Sequence, residues 1–235
     1  MATSNVTLRE SPHPYDVLFQ VSEVFHLAFS NGEYLRWMSK TPADALTDKL
    51  EKIPGRVRQY ATVIAHRLLN PRVVMVCAFK DDRVVGYAMW RAPRALRQET
   101  VFQMVYRKAV QAMDCLEKWL SPPTWRNNPR FIQYWKTVSQ CANTAFDGNP
   151  QKSWYLMMLA VLPECQRQQI GGRLMDWALD IAKERGEKVY TESSEAGRAL
   201  YSKKGFQVVD YVFVRDQSSA EELAPPFMVW DPNRT

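Results

Sequence analysis

Two apolar runs joined by a short polar segment form the clearest pattern in the chain. Residues 72–79 and 84–90 are nearly all apolar and rich in β-branched side chains, whereas residues 80–83 are polar. Two strands with such a short connection favour an antiparallel β-hairpin. Apolar and polar side chains also alternate over residues 6–9, which predicts a further strand at the edge of a sheet.

Helical periodicity predominates in the rest of the chain before residue 150. Apolar side chains recur at helical spacing in several stretches, which are residues 15–29, 42–52, 57–69, 95–119 and 129–145. The last two stretches make up a helical insertion, about residues 95–150, between the hairpin and the next predicted strand.

The second half of the chain predicts a strand, a helix and another strand in succession. Residues 154–161 form an apolar run, and a helical pattern then extends from the glycine pair Gly171 and Gly172 to Gly186. Residues 189–191 form a short strand-like segment after it. This order predicts a βαβ unit with parallel strands.

The C-terminal part predicts one more helix and further strands. The helix begins at Ser194 or Glu195 and ends before Gly205. Strand-like segments follow at residues 206–209, 211–214 and 227–230. Residues 216–226 are predicted to be a loop. Together the elements predict an α/β (α+β) protein with a mixed, mainly antiparallel sheet flanked by helices, in a single domain over residues 1–235.

Composition is typical of a soluble intracellular protein. The 46% hydrophobic and 24% charged residues are ordinary for a globular chain. The longest apolar run, residues 154–162, is too short to span a bilayer, and the polar N-terminus does not resemble a signal peptide. The cysteines and histidines form no disulfide or metal-ligand pattern. We therefore predict a cytoplasmic protein without membrane contact and without a bound metal.

The positive charge narrows the class of ligand. The net charge of +6 suits an anionic partner. The basic residues are scattered, however, and no nucleic-acid-binding motif is present. We therefore predict an anionic small-molecule ligand and no nucleic acid.

A polar loop with two glycines separates the strand at residues 154–161 from the following helix. Residues 166–172 read Gln-Arg-Gln-Gln-Ile-Gly-Gly. Free N–H groups and the helix dipole make a helix N-terminus a binding site for anions such as pyrophosphate. Taken alone, the same pattern also fits an ordinary helix start.

Three segments, in this order, resemble the GNAT superfamily of N-acetyltransferases. They are the end of the hairpin at residues 84–88, the segment at residues 160–172, and Leu-Tyr-Ser-Lys-Lys-Gly-Phe at residues 200–206. The resemblance extends over residues 72–90 and 154–214, and the inserted helices and tryptophans are similar to a fungal branch of the superfamily. It implies a GNAT-like fold and acetyl-CoA as co-substrate.

The resemblance also implies a set of coenzyme A contacts. The positions that match the family's pantetheine-binding strand and pyrophosphate-binding loop are Leu159, Val161, Gln166, Arg167, Gln168, Gln169, Ile170, Gly171 and Gly172. Ser194 stands where the family often has an asparagine that contacts the cofactor. Gln169 replaces the first glycine of the family's loop pattern, and we expect its backbone to serve a phosphate only if its φ is negative.

The resemblance implies one catalytic position, and the chemistry needs a base in addition. Tyr201 matches the tyrosine that faces the coenzyme A sulfur, where it would protonate the departing thiolate or donate a hydrogen bond to it. A phenol pKa of ~10 exceeds a thiol pKa of ~8.5, so full proton transfer needs help from the surroundings. Packing beside Phe206 is the alternative role. Glu192 is the nearest carboxylate for a general base, because residues 154–161 contain none. Alternatively Glu192 is a solvated loop carboxylate, and ordered water is the base.

The acceptor is expected over the sheet, between the first helices and the insertion. The aromatic side chains that would line its site are Phe29, Tyr34, Trp37, Trp90 and Trp125. Each of them alternatively packs in the core. An aromatic wall suits an apolar or cationic small molecule.

These inferences predict acetyl transfer from acetyl-CoA to a primary amine of a small molecule by direct attack, in a monomer or homodimer. Two alternatives remain open. One is a protein or peptide N-acetyltransferase, which requires an open groove. The other is a GNAT-fold protein that has lost acetyl transfer and uses the cleft for binding or other chemistry.

Overall fold

The computed structural model describes residues 6–10, 16–29, 61, 64–65, 67–96, 101, 104–105, 108–109, 112, 129–215 and 222–234. Its strands are β1 Thr7–Glu10, β2 Val73–Lys80, β3 Arg83–Arg91, β4 Trp154–Val161, β5 Val189–Glu192, β6 Gln207–Tyr211, β7 Val214–Arg215, β8 Glu222–Leu223 and β9 Pro226–Trp230. Its longer helices are α1 Leu18–Phe29, α2 Pro129–Ala145, α3 Ile170–Arg185 and α4 Glu195–Lys203.

A seven-stranded sheet forms the centre of the fold, in the order β1-β2-β3-β4-β5-β9-β6. Strands β4 and β5 are parallel, while every other neighbouring pair in this sheet is antiparallel. The predicted hairpin, the βαβ unit and the mixed, mainly antiparallel sheet are therefore confirmed.

The insertion and the C-terminal segment differ in detail from the prediction. Residues 94–96 form a turn, so the helix predicted at residues 95–119 begins after them, and its described positions between 101 and 112 are helical. The predicted loop at residues 216–226 is wrong in part, because β8 pairs with β7 in a separate two-stranded sheet. The predicted helix at residues 42–52 lies outside the described residues.

The central strands carry a large apolar core beneath α3. Trp154 on β4 makes edge-to-face contacts with Trp90 on β3 and Trp177 on α3, with ring centroids 6.4 and 6.2 Å apart. The Trp154 indole N–H donates to Glu187 at 2.9 Å, so its one polar atom is satisfied. Burial of each such side chain contributes roughly 1.5–3 kcal/mol, which fixes α3 firmly on β3 and β4.

A second apolar cluster lies under α2. Tyr155 on β4, Tyr190 on β5 and Phe227 on β9 pack there against Val138 and Ala142 of the helix. Because side chains alternate along a strand, the neighbours of these residues belong to the α3 cluster instead. The helical insertion thus covers the face of the sheet opposite α3 at the start of β4 and β5.

A glycine accommodates each end of α3. Gly186 adopts a left-handed conformation (φ 65°), and its N–H bonds to the carbonyls of Ala182 and Lys183. At the other end, a Cβ on Gly86 of β3 would lie 3.0 Å from the Ala160 oxygen and 3.4 Å from Ile170 Cγ2. Glycine at 86 therefore allows the start of α3 to sit closely over the ends of β3 and β4.

Among the described helices, none combines the length and the hydropathy that crossing a bilayer requires.

Candidate active site

Strands β4 and β5 separate soon after they begin. Their parallel pairing includes Trp154 with Val189 and Tyr155 with Tyr190, and it ends there. Strand β4 nevertheless continues beside β3 as far as Val161, while β5 continues beside β9. The result is a cleft between β4 and β5 that widens towards the end of β4.

The edge of β4 that faces this cleft carries backbone groups that β3 does not use. The Leu162 N–H donates to the Val85 carbonyl of β3 at 2.9 Å. Backbone groups of successive strand residues point to opposite edges, so those of Val161 and Leu159 point towards the cleft. The Val161 carbonyl accepts there from Gln166 Nε2 at 3.1 Å. An extended ligand chain can pair with an open strand edge of this kind.

The loop after β4 is held by its own side chains and turns. A short 3₁₀ helix spans Pro163–Cys165, with Cys165 buried. The amide of Gln168 donates to the Glu164 carbonyl at 3.1 Å. Together with the bond from Gln166 to β4, these contacts fix the path of the loop into α3.

Gln169 adopts the left-handed conformation, with φ 64° and ψ 4°. The condition derived from the sequence, a negative φ at this residue, is therefore not met. Glycine adopts this region without steric penalty, whereas another residue incurs roughly 1–2 kcal/mol. The turn still leads directly into the helix, because the Arg173 N–H bonds to the Gln169 carbonyl at 3.0 Å. Residue 169 therefore has a backbone conformation that favours glycine, although the residue is glutamine.

The N-terminus of α3 is open to a ligand. Gln169 is the N-cap residue and makes no side-chain capping bond. The first N–H groups of a helix have no partner within it, so those at the start of α3 are available to an anion. Gly171 and Gly172 lie in this first turn, and Lys204 approaches Gly172 while it forms an ion pair with Asp176 at 2.5 Å.

Glu192, the predicted base, is the last residue of β5 and is partly buried. Both of its carboxylate oxygens accept from the Tyr155 hydroxyl, at 2.7 and 2.9 Å. Burial raises the pKa of Glu192 to about 7, although the Tyr155 bond and the charges of Arg67 and Arg91 act in the opposite direction. At neutral pH such a carboxyl group exists in both protonation states, as a general base requires.

Tyr201 lies on α4 and is buried. Its ring packs against Phe206 at a centroid distance of 5.8 Å. Burial, followed by the charge of Glu192, raises the pKa of the phenol, while hydrogen bonding with Thr191 lowers it. Thr191 in turn donates to the Leu156 carbonyl on β4 at 3.1 Å. Tyr201 and Glu192 therefore both lie beside the point where β4 and β5 separate.

Ser194 begins α4 as its N-cap. Its hydroxyl oxygen accepts from the Gly197 N–H at 3.2 Å. A serine N-cap stabilises a helix by typically ~1 kcal/mol, which gives this residue a structural role.

Two of the five predicted acceptor residues, Phe29 and Trp90, lie within the described part of the chain. Trp90 is fully buried, and its ring packs against Trp154, which is the alternative core-packing role. Phe29 is partly buried on α1, with its ring 5.0 Å from that of Phe25. Tyr34, Trp37 and Trp125 lie outside the described residues.

Sequence reasoning did not identify Tyr155. Its partner Glu192 is 37 positions away in the sequence. The pair depends on the register between β4 and β5, which no local pattern specifies. In the sequence, an aromatic residue within an apolar run indicates only that its side chain packs in the core.

Comparison with known proteins identifies the family. The acetyltransferase (GNAT) family matches residues 43–206. This is more than half of the chain, which therefore belongs to that family and is an acyltransferase. No curated protein sequence matches the chain.

Solved structures with the same fold are distant in sequence. A histone acetyltransferase HPA2 and related acetyltransferase from Corynebacterium glutamicum aligns with a TM-score of 0.55 and 17% identity, covering 97% of this chain and 96% of that one. An agmatine N-acetyltransferase aligns with a TM-score of 0.53 and 13% identity, covering 97% of this chain and 99% of that one. A mosquito arylalkylamine N-acetyltransferase like 5b aligns with a TM-score of 0.50 and 16% identity, covering 97% of this chain and 100% of that one. The comparisons do not support the fungal branch.

Proposed function

We propose that this protein transfers an acetyl group from acetyl-CoA to a primary amine of a small molecule. The observation that carries the proposal is the cleft between β4 and β5. It leads from Tyr201 and Glu192 at one end to the open N-terminus of α3 at the other. GNAT acetyltransferases use acetyl-CoA, and a cleft of this form suits a long ligand with a pyrophosphate at one end.

The backbone along the cleft would hold coenzyme A. The N–H groups of residues 170–172, at the start of α3, suit the pyrophosphate, because the helix dipole adds to their hydrogen bonds. The cleft-facing backbone of Leu159 and Val161 suits pantetheine, which has amide groups of its own. The side chains of Gln166 and Gln168 fold back onto the protein, so their support is indirect.

Glu192 is the proposed general base. The protonated amine loses one proton to Glu192, and its nitrogen then attacks the thioester carbonyl. A carbon–nitrogen bond forms, the carbon–sulfur bond breaks, and the second proton leaves the nitrogen for the departing thiolate or for solvent. A carboxylate with a pKa of about 7 accepts the amine proton without needing a strongly basic medium. Tyr155 would act as a positioning residue, because its hydroxyl holds both carboxylate oxygens.

Tyr201 is the proposed hydrogen-bond donor to the departing thiolate. Burial raises the pKa of its phenol above the ordinary value of ~10, and a thiol has a pKa of ~8.5. The thiolate is therefore the weaker base, and Tyr201 keeps its proton. A donated hydrogen bond stabilises charge that develops on the sulfur, as preorganised donors do in other acyl transfers.

A small cationic amine is the proposed acceptor. Glu192 supplies negative charge beside the cleft, which attracts a protonated amine and then receives its proton. The names of two structural relatives, for agmatine and for arylalkylamines, suggest the same class.

Calorimetry with acetyl-CoA tests the cofactor half of this proposal. We expect binding to the wild-type protein and at least about tenfold weaker binding after Gly171→Val, because a branched side chain would crowd the first turn of α3. Thr137→Val, at a partly exposed position on α2, is the control. An absence of binding at millimolar acetyl-CoA would refute the proposal.

A further inference from the structure

A cavity of about 260 Å³ lies between α2 and the sheet, beside Tyr155 and Tyr190. Arg91, Tyr155 and Tyr190 line it from the sheet, and Trp135, Ser139 and Asn143 line it from α2. We call it the α2 cavity. Ser139 and Asn143 are exposed, so the cavity opens to solvent along the helix. The coenzyme A contacts proposed above use none of these residues.

Arg91 is the charged group of the α2 cavity. Its guanidinium lies over the Tyr155 ring, 4.9 Å from the centroid, and its Nη2 donates to the Tyr190 hydroxyl at 2.5 Å. Its Nε is buried and meets no acceptor within the described part of the chain. That N–H is not accessible from the cavity, so a ligand there meets the charge of the guanidinium and the part of Arg91 that lines the cavity.

The neighbouring charges are also positive. Arg72 lies close enough to Arg91 and Arg94 that their charges, after burial, lower its pKa. Its own bonds go to the carbonyls of Ala92 and Gln151, which carry no charge. Among the described residues, no carboxylate forms an ion pair with any of these three arginines. Glu192 is within electrostatic range of Arg91, but its carboxylate bonds to the Tyr155 hydroxyl and forms no ion pair with Arg91 in the described part of the chain.

The walls of the cavity combine apolar and polar surface. The rings of Tyr155 and Tyr190 are stacked with centroids 4.7 Å apart, and Val138 and Ala142 face them from α2. A cavity of roughly 150 Å³ accommodates benzene. The α2 cavity is therefore large enough for a benzene-sized body together with a carboxylate group.

We propose that the α2 cavity binds a small organic carboxylate with an apolar body, and that Arg91 is its anchor. The planar guanidinium matches a carboxylate, and the tyrosine pair packs against the body of the ligand. Such a ligand is either the anionic end of an acceptor or a separate effector. The site goes beyond the acetyl transfer proposed above and stands without it.

Calorimetry with benzoate tests the site. Benzamide, which has a similar shape and no charge, is the control ligand. We expect benzoate to bind the wild-type protein with a dissociation constant on the order of 1 mM, and benzamide to bind at least about tenfold more weakly. Arg91→Gln should weaken benzoate binding by at least about tenfold. Arg83→Gln, an exposed arginine at the other end of the same strand, should leave it unchanged.

A second variant keeps the test valid if Arg91→Gln disturbs the fold. Ser139→Leu leaves every charge in place and narrows the cavity from an exposed position on α2, so it should also weaken benzoate binding. Equal binding of benzoate by wild type, Arg91→Gln and Ser139→Leu, or no binding by folded wild type, would overturn the proposal.

The source of the carboxylate follows from a competition experiment. If benzoate competes with the amine acceptor in acetyl transfer, the cavity holds the acceptor's own anionic end. If benzoate changes the rate without competition, the cavity holds an effector. Because the binding measurement needs neither acetyl-CoA nor turnover, a failure of the proposed acetyl transfer would leave its result intact.

Discussion

The hydroxyl of Tyr155 bridges both carboxylate oxygens of Glu192, at 2.7 and 2.9 Å. The two residues lie on neighbouring parallel strands, at the place where those strands begin to separate. The bond stabilises the ionised carboxylate, whereas burial opposes ionisation more strongly. Their balance gives Glu192 a pKa of about 7.

Tyr155→Phe should shift the pH dependence of catalysis. Loss of the hydroxyl removes a bond that lowers the pKa of Glu192, so this pKa should rise above about 7. The acidic limb of kcat/KM should move to higher pH, and activity at high pH should largely recover. Tyr190→Phe, whose hydroxyl bonds to Arg91 instead, should keep the wild-type profile. If both variants had the same pH profile, Tyr155 would have no role in setting the pKa of Glu192.

Glu192→Gln should stabilise the protein above neutral pH. The folded-state pKa of about 7 exceeds the ordinary value of 4.5, so folding favours the protonated form. Stability linked to this group is full below pH 4.5 and is lost as the pH rises through 7. Urea unfolding at pH 8 should show a gain on the order of 1–3 kcal/mol for the variant. At pH 4.5 this gain should vanish; a gain of equal size at both pH values would contradict the shifted pKa.

Tyr201→Phe should lower kcat by at least about tenfold, while the affinity for acetyl-CoA stays unchanged. The substitution keeps the packing against Phe206 and removes only the hydroxyl. Steady-state kinetics and calorimetry measure the two effects separately. Should kcat remain unchanged, Tyr201 would have a packing role alone.

Gln169→Gly should preserve or increase stability and keep acetyl-CoA binding. A left-handed residue with a side chain costs roughly 1–2 kcal/mol, and the greater freedom of glycine in the unfolded chain offsets about 0.5–1 kcal/mol of the gain. The expected change is a stabilisation of between zero and ~1.5 kcal/mol by urea unfolding.

Gln168→Gly is the matched control for that substitution. Gln168 does not have a positive φ, and its side chain bonds to the Glu164 carbonyl. Glycine there should destabilise the loop. If Gln169→Gly destabilised the protein as much, the left-handed backbone at 169 would not be strained.

The long periodic elements could be predicted from the sequence. The predicted bounds of β4 and α2 are those observed, because each is a long run with a clear break at both ends. The short strand β8 was not predicted, because two residues give no periodicity and only its pairing with β7 defines it.

Only the part of the candidate site that is contiguous in the sequence could be predicted. The loop at residues 166–172 is contiguous and was identified from its residues. The bond from Tyr155 to Glu192 and the stack of Tyr155 on Tyr190 arise from strand register, so they required the structure. Trp90 is an aromatic residue of the kind that lines binding sites, but β3 is a central strand that is buried on both faces, so Trp90 lies in the core.

Acetyl transfer itself is the most direct test of the central claim. The purified protein is incubated with acetyl-CoA and a panel of polyamines, amino sugars, aromatic amines and a lysine-containing peptide, and acetylated products are measured by mass spectrometry. We expect at least one small primary amine to be acetylated, with the rate reduced about 100-fold in Glu192→Gln. Acetylation of the peptide alone, or of no amine despite acetyl-CoA binding, would contradict the account.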